Sequence, residues 1–346
     1  MNNLLQKEIE SFAALLKAPR NILIITHYNP DGDAIGSLMG LYHYFKKKGY
    51  DVSAMVPNEF PDFLRWIKDT NQIIVYKHKE NFAKNLIQNA DIIICADFND
   101  FKRLKSIGPE LEISKAVKIL IDHHPEPDNA YLHKIHDTSV SSTAELVYRI
   151  IEASGDTSII DPAIAECIYT GIMTDTGCFN FNSSNPETFR IVADLLTTGF
   201  NKDKVFNEVY NNFSEHRMKL LWHCLSEKMI VLPELHTAYI CLSREDMEKH
   251  HFKTGDSEGF VNFPFSIKGV NITALFTEKK DHVRISMRSR GGFSINTICE
   301  KYFEGGGHKN AAGGESNLSL KEAIRKFEQI LEQYRDEIKN VQWFDN

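Results

Sequence analysis

Short apolar runs alternate with amphipathic helical segments along the first half of the chain. Runs of four to six residues predict strands at 22–26, 52–56, 73–76, 92–96 and 117–121. Periodicity near 3.6 predicts helices at 3–17, 34–48, 142–153, 161–173, 186–198 and 214–226. This alternation is typical of an α/β domain with a mainly parallel sheet flanked by helices.

The pattern changes from about residue 228. Strand-like stretches at 231–243, 261–279 and 282–290 are followed by helical periodicity near 294–303 and 320–336. We predict a first domain over 1–210 that ends in a helical connector, and a smaller α+β domain over 228–346. Because no long linker separates them, the two domains leave room for a cleft between them.

Composition narrows the class of protein. Hydrophobic residues make up 42% and charged residues 25% of the chain, as in soluble globular proteins, and the net charge of −7 argues against coating long duplex nucleic acid. The six cysteines contain no C-x-x-C pair, and no apolar run approaches the roughly 20 residues of a membrane span. We expect a cytoplasmic protein that contacts no membrane.

Acidic and histidine residues gather where predicted strands end. In chain order they are His27, Asp31, Asp33, Asp97, Asp122, His123, His124 and, beyond a predicted helix, Asp175. Taken singly, each has an ordinary explanation, since Asp-Gly is turn chemistry and Asp33 could simply cap the following helix. Because ligands bind at the carboxyl ends of strands in open α/β sheets, their combination favours a site there.

Such a set of carboxylates needs neutralising. Converging acids raise each other's pKa unless cations are present, and two divalent metals would solve this. Carboxylate oxygen with imidazole, and no thiolate in these motifs, suits manganese, with magnesium as the alternative. Paired metals activate water and clamp the oxygens of a phosphoryl transfer.

The motifs HYNPDGDAIGS, CADF, IDHH and TDTG, followed by RISMRSRG and GGGHKNAAGG, resemble the DHH/DHHA1 phosphoesterases in order over nearly the whole chain. Length and domain pairing resemble the branch that acts on oligoribonucleotides and on 3'-phosphoadenosine 5'-phosphate. The resemblance implies that His27 and Asp31 bind one metal. It implies that Asp33, His123 and Asp175 bind the other. It also implies that Asp97 bridges the metals and acts in catalysis with His124.

The Asp-His-His run, residues 122–124, follows a predicted strand, and this position bears on where its side chains point. Adjacent residues in an extended chain point to opposite sides, so we expect that His123 and His124 do not bind the same metal. The resemblance implies that His124 faces the substrate phosphate or its leaving group. Asp122 is expected to orient a histidine instead of binding metal directly.

The C-terminal motifs predict a substrate-binding surface. Consecutive glycines let backbone N–H groups approach an anion, and arginine can grip phosphate with two parallel hydrogen bonds. The predicted contacts are Arg288, Ser289, Gly305, Gly306, Gly307 and His308. A plain glycine turn and an exposed strand arginine are the alternatives, but residues 266–312 carry eight basic against four acidic residues.

Other candidates have simpler explanations. Ser142 and Thr143 precede an apolar helical run, so we favour helix capping over a place in the site. Arg103 could reach a phosphate, but a solvated helix arginine is the preferred interpretation. Phe263 and Phe265 could stack on a base, and core packing is preferred for both.

Together these features predict a phosphoesterase that uses two-metal-activated water on very short single-stranded RNA or 3'-phosphoadenosine 5'-phosphate. The alternatives are a cyclic dinucleotide phosphodiesterase and an inactive nucleotide-binding protein of the same fold. All six predicted metal-ligand positions carry competent residues, which favours the enzyme. A homodimer is compatible with the sequence.

Overall fold

The computed structural model describes residues 3–16 and 20–341. The chain divides into two compact units, Met1–Asn212 and Phe213–Asn346. No described helix combines the length and the apolar character that crossing a membrane requires.

The first unit is built on a six-stranded sheet in the order β3-β2-β1-β4-β5-β6, with every neighbouring pair parallel. Its strands are β1 (Asn21–Ile25), β2 (Asp51–Val56), β3 (Ile74–Val75), β4 (Ile92–Ala96), β5 (Val117–Asp122) and β6 (His133–His136). The order reverses between β1 and β4. In open α/β sheets, that reversal opens a crevice at the carboxyl ends of the strands.

Among the described residues, eight α-helices accompany this sheet. They are α1 (Asn3–Leu15), α2 (Gly32–Lys47), α3 (Glu80–Asn89), α4 (Gly108–Ile113), α5 (Thr143–Ala153), α6 (Pro162–Asp175), α7 (Pro186–Leu196) and α8 (Lys202–Tyr210). Several begin at side-chain caps, for example Ser142 for α5 and Asp161, followed by Pro162, for α6. The helix predicted over 3–17 is α1, and residue 17 lies outside the described part of the chain.

Strand alternation divides the core of the first unit between the two faces of the sheet. Ile22 and Ile24 point to the face packed by residues of α1, α2, α5 and α6. Leu23 and Ile25 point to the other face, against residues of α3 and α4. Burial on both faces explains why these strands read as continuous apolar runs in the sequence.

The second unit contains a mixed sheet in the order β11-β12-β10-β9-β8-β7, in which only β8 and β9 pair in parallel among the described strands. Its strands are β7 (Met229–Leu232), β8 (Thr237–Leu242), β9 (Ile272–Glu278), β10 (Val283–Ser289), β11 (Gly306–His308) and β12 (Ala311–Ser316). Its helices are α9 (Glu215–His223), α10 (Arg244–Lys249), α11 (Ile295–Tyr302), α12 (Leu320–Gln333) and α13 (Arg335–Lys339). A mainly parallel α/β unit followed by a smaller α+β unit confirms the predicted fold class.

Three local predictions differ from the structure. The stretch predicted as strand from 261 begins instead as a 3₁₀ helix, Phe260–Ser266, because Pro264 lacks the N–H that a ladder needs. Strand β6 was not predicted, since HKIH offers only one buried apolar residue, Ile135. The glycine run, predicted as a loop, forms strand β11 at the edge of the second sheet.

Candidate metal centre

The ends of β1 and β4 meet at the point where the strand order reverses. His27 follows β1 by two residues, and Asp97 comes directly after β4. Asp97 adopts a left-handed backbone conformation with φ of 67°, and its N–H donates to the carbonyl of Ile121 at 3.0 Å. Non-glycine residues adopt this conformation rarely, and such strain is often found at functional sites.

His27 is oriented toward Asp97. Its Nδ1 donates a hydrogen bond of 3.0 Å to the carbonyl of Tyr28, which leaves Nε2 facing Oδ2 of Asp97 at 3.4 Å. Asp31 caps α2 by accepting the N–H groups of Asp33 and Ala34. His27, Asp31 and Asp97 each offer a ligand atom, and these atoms lie within 4.8 Å of one another. The three residues form a group that could hold a metal ion.

A second group shares the same centre. Nε2 of His123 lies 3.5 Å from Oδ2 of Asp175 and 3.8 Å from Oδ2 of Asp33. Ligand atoms of Asp33, His123 and Asp175 also fall within 4.8 Å of one another. The same Nε2 lies 3.8 Å from Oδ1 of Asp97, so Asp97 stands between the two groups.

The first turn of α5 holds both groups in place. Oδ2 of Asp33 accepts the N–H of Thr143 at 2.7 Å, and Oδ1 accepts the N–H of Ala144 at 2.9 Å. The hydroxyl of Thr143 donates to Oδ1 of Asp97 at 2.9 Å. Gly171 of α6 makes room for this arrangement, because a Cβ there would lie 2.7 Å from Oδ1 of Asp33.

Ser142 is the N-cap of α5, as predicted, but assigning Thr143 only to capping was wrong. The sequence around Thr143 is typical of a helix start and does not indicate that its hydroxyl contacts Asp97 at the end of β4.

Charge in this centre is unbalanced. Burial, followed by the charges of Asp97 and Asp175, raises the pKa of Asp33 well above its ordinary value. Burial opposes ionisation of Asp97 too, but the hydrogen bond from His27 and the charges of nearby imidazoles outweigh it and lower its pKa. Burial lowers the pKa of His27 and His123, and neighbouring carboxylates reverse this and raise both. The carboxylates of this centre therefore favour the protonated form of both imidazoles.

The donor set fits hard divalent cations. It consists of carboxylate oxygens and imidazole nitrogens, the ligands expected for manganese or magnesium. Cys95 lies only two residues before Asp97, but its side chain is buried in the core with Leu23 and Ile25, and Asp97 itself leaves the strand conformation with a φ of 67°. No cysteine therefore belongs to the three ligand groups that the first unit offers.

The Asp-His-His run lies differently from the prediction. Because β5 ends at Asp122, the two histidines lie beyond the strand and strand alternation does not apply to them. Their rings are 4.9 Å apart, and Nδ1 of His124 lies 3.7 Å from Oδ1 of Asp97, so both imidazoles approach the same carboxylate. The argument that placed them on opposite sides was wrong.

Asp122 orients His124, as predicted, through a contact of 2.8 Å between Oδ1 and Nδ1. Burial and the charge of Asp97 raise the pKa of Asp122 to about 6. Asp97, Asp122 and His124 form a third group whose atoms meet the same 4.8 Å limit. Since the Asp122–His124 contact has hydrogen-bond length, this pair is better described as an oriented histidine than as two metal ligands.

In the second unit, the sheet register aligns two predicted substrate contacts. Arg288 pairs with Ala311, which pairs with His308, so the three residues form one row across β10, β12 and β11. Residues paired across antiparallel strands project to the same face. The structure therefore brings Arg288 and His308 to one face of the second sheet.

The three glycines of this segment have different environments. A Cβ at Gly305 would collide with the backbone of Gly313, and one at Gly307 would lie 2.6 Å from the carbonyl oxygen of Ala311. A Cβ at Gly306 would meet nothing closer than Oδ1 of Asn296 at 3.9 Å. Close approach of β11 and β12 thus accounts for Gly305 and Gly307, whereas packing leaves Gly306 unexplained.

Ser289 does not fit its predicted role. The residue is buried, its hydroxyl donates to the carbonyl of Phe293 at 2.7 Å, and it accepts Nδ2 of Asn310 at 2.9 Å. As Arg288 and Ser289 are consecutive in β10, their side chains point to opposite faces. We therefore assign Ser289 to holding this end of the second sheet together, and not to binding substrate.

Two further predictions need correction. Phe265 is buried with Ala238 and Val270, as expected, but Phe263 is 44% exposed and is not part of the core. Arg103 is half-buried, not fully solvated.

The fold and the site together define a two-unit α/β protein with a carboxylate–imidazole centre at the switch point of a parallel sheet. The chain belongs to the DHH family, since residues 21–172 match the DHH family N-terminal domain and residues 235–339 match the DHHA1 domain. This membership confirms the resemblance on which the motifs were interpreted.

Relatives match nearly the full length. The chain is 30% identical over 332 residues to the bifunctional oligoribonuclease and PAP phosphatase NrnA of Thermus thermophilus, covering 94% of this chain and 93% of that protein. It is 27% identical to the Bacillus subtilis protein of the same name, covering 88% and 91%. A crystal structure of an exopolyphosphatase-related protein from Bacteroides fragilis is 42% identical, with a TM-score of 0.92, and covers 98% of this chain and 100% of that one.

Proposed function

We propose that this chain is a metal-dependent phosphoesterase that hydrolyses very short RNA oligonucleotides, 3'-phosphoadenosine 5'-phosphate (PAP), or both. The observation that carries the proposal is the pair of ligand groups that meet at Asp97. Paired metal sites of this kind serve phosphoryl transfer. The names of relatives that share 27–30% identity over most of the chain supply the substrate class.

The ligands divide between two cations. His27 and Asp31 would hold one metal, Asp33, His123 and Asp175 would hold the other, and Asp97 would contact both. Two divalent ions, manganese or magnesium, would supply activation of water and neutralisation of the phosphoryl charge. Such cations would favour the ionised form of Asp33, whose pKa is raised by burial and by the neighbouring acids.

Hydrolysis requires that a water oxygen bond to phosphorus, that an ester P–O bond break, and that a proton reach the leaving oxygen. His124 is suited to the last requirement, because Asp122 fixes its ring beside Asp97. In this proposal His124 stabilises or protonates the leaving group, and Asp122 is its positioning residue. PAP and water then yield adenosine 5'-phosphate and inorganic phosphate, and a dinucleotide with a 5'-terminal phosphate and water yield two mononucleotides.

The second unit supplies nucleotide recognition in this proposal. Arg288 and His308 offer donors from one face of the sheet, and Gly306 leaves backbone open beside them. The excess of basic over acidic residues in 266–312 favours a small anion. Chemistry and substrate recognition are thus assigned to separate units.

A substrate panel tests the proposal. Turnover of PAP, an RNA dinucleotide, cyclic di-AMP, pyrophosphate and tripolyphosphate is compared with Mn²⁺ and after chelation. We expect PAP and the dinucleotide to be hydrolysed fastest and chelation to abolish both reactions. Fastest turnover of cyclic di-AMP would support the cyclic dinucleotide alternative, and absence of turnover with retained nucleotide binding would support an inactive binding protein. The Bacteroides fragilis protein's name is the reason for including tripolyphosphate.

A further inference from the structure

Arg103 lies on the short 3₁₀ helix Phe101–Ile107 that follows Asp97. Phe101 and Leu104 are buried in the core on one face of the first sheet, which fixes this helix against the strands. The carbonyl of Arg103 accepts the N–H of Tyr28 at 2.9 Å. Because Tyr28 directly follows His27, this bond holds the backbone of Arg103 beside the candidate metal centre.

The charge of Arg103 acts on groups at two strand ends. For His27, burial and the hydrogen bond that the imidazole donates to Asp97 are the largest influences on the pKa, and the charge of Arg103 then acts to lower it. For Asp122, burial raises the pKa and the charge of Arg103 opposes that rise. Since His27 follows β1 and Asp122 ends β5, the half-buried guanidinium lies close to the carboxyl edge where the ligand groups meet.

Arg103 is nevertheless not neutralised by an acid. Within the described chain it forms no ion pair, although five aspartates lie at this edge of the sheet. Its neighbour Lys102 is different, because that side chain is 92% exposed and lies 3.7 Å from Asp100. A half-buried guanidinium without a carboxylate partner carries unused donors, and these suit the oxygens of a phosphate.

We propose that Arg103 binds the non-bridging oxygens of the phosphoryl group that is attacked, as a catalytic residue supplied by the first unit. This inference rests on the proposed function. The planar guanidinium can donate two parallel hydrogen bonds to one phosphoryl group and offset the charge that develops during attack. Arg103 is not a proposed metal ligand. Its contribution to phosphate binding and catalysis can therefore be measured separately from metal binding.

Two substitutions at Arg103 and one beside it test the role. R103M removes the positive charge and keeps a side chain of similar length. R103K keeps a positive charge but cannot donate two parallel hydrogen bonds. K102M removes a charge from the neighbouring residue and is the matched control. For each protein we would measure kcat and KM for PAP and the dinucleotide, Mn²⁺ affinity by calorimetry, and affinity of the Mn²⁺-loaded protein for inorganic phosphate.

We expect R103M to lower kcat/KM about 100-fold and to weaken phosphate binding, without weakening Mn²⁺ binding. R103K should fall between R103M and wild type, and K102M should match wild type. Phosphate affinity and kcat/KM of R103M indistinguishable from those of K102M would overturn the inference, as would loss of Mn²⁺ in step with activity. If the wild type hydrolyses no substrate, the proposed function fails, and the phosphate titration still decides whether Arg103 binds the anion.

Discussion

Oγ1 of Thr143 donates a hydrogen bond of 2.9 Å to Oδ1 of Asp97, joining the first turn of α5 to the end of β4. The backbone N–H of the same residue bonds Asp33. One residue therefore holds a carboxylate from each of the two ligand groups. The spacing between the groups is determined by α5 as much as by the strands.

Removing the Thr143 hydroxyl should loosen the centre without unfolding it. In Thr143→Val the N–H to Asp33 remains, but Asp97 loses the donor that orients it. Losing such an outer partner typically lowers metal affinity about 10- to 100-fold. Calorimetric titration with Mn²⁺ measures the effect, and Thr143→Ser, which keeps the hydroxyl, serves as the control. Equal affinity in the valine and serine variants would contradict this role.

Asp97→Ala should abolish phosphoesterase activity and leave a folded chain. A shared carboxylate serves both ligand groups, so its loss should weaken both metal sites at once. The chain should stay folded because the apolar core on both faces of the sheet does not depend on this carboxylate. Activity, Mn²⁺ stoichiometry and thermal midpoint are the measurements. Full activity in a folded variant, or loss of a single ion only, would refute the shared-carboxylate interpretation.

The glycine segment allows fold and recognition to be separated. Gly305→Ala should lower the thermal midpoint, because its methyl group collides with the backbone of Gly313. Gly306→Ala should leave the midpoint unchanged, since its methyl group has open space, but should raise KM for PAP. Equal loss of stability in both variants would show that β11 needs both glycines for packing alone.

Asp246 in the second unit should make the free energy of unfolding depend on pH in the acidic range. Its Oδ1 lies 2.8 Å from Nε2 of His223 and 2.9 Å from Nζ of Lys228, and its Oδ2 accepts the hydroxyl of Ser243 at 2.6 Å. Burial opposes ionisation, but these hydrogen bonds outweigh it and lower the pKa below the ordinary 3.8. The folded state therefore binds fewer protons than the unfolded state. The stabilisation is present above pH 3.8 and declines as the pH falls toward the folded pKa.

The measurement is the free energy of unfolding at pH 7 and near pH 3. Asp246→Asn should be less stable than wild type by on the order of 2 kcal/mol at pH 7, and the difference should shrink in acid. Glu248→Gln is the control, since the Glu248 side chain is 76% exposed. A wild-type advantage that does not change between the two pH values would contradict the linkage.

Short RNA should be the better substrate. A chain of net charge −7 offers few contacts to the phosphates of a long strand. We expect kcat/KM to fall from a dinucleotide to about a 20-mer and to depend only weakly on salt, because few phosphates are engaged. A length series at fixed end concentration and two salt strengths tests this. Rates that climb with length and fall steeply with salt would favour a processive exonuclease.

Much of the first unit could be predicted from sequence. Its strands are buried on both faces, so apolar runs mark them clearly, and the bounds of β4 were predicted correctly. The same clarity located His27, Asp97 and His123, because each directly follows or nearly follows such a run. Strong periodicity and the position of polar residues at strand ends are local patterns that a single sequence displays.

Other features depend on contacts that sequence does not display. Thr143 looks like any residue at a helix start, and only the packing of α5 against the sheet brings its hydroxyl to Asp97. The side on which His124 lies depends on where β5 ends, which hydrophobicity leaves open by one residue. Gly306–His308 has little strand propensity and pairs because β12 offers an edge.

Gly171 carries no functional group, yet the centre depends on it. A methyl group there would press on Asp33 and on Ala144, the residue whose N–H binds that carboxylate. Gly171→Ala would therefore displace a candidate ligand, although glycine and alanine are similar residues. When variants of this protein are interpreted, the neighbourhood of the acids therefore includes a glycine without a functional group, one helical turn before Asp175 on α6.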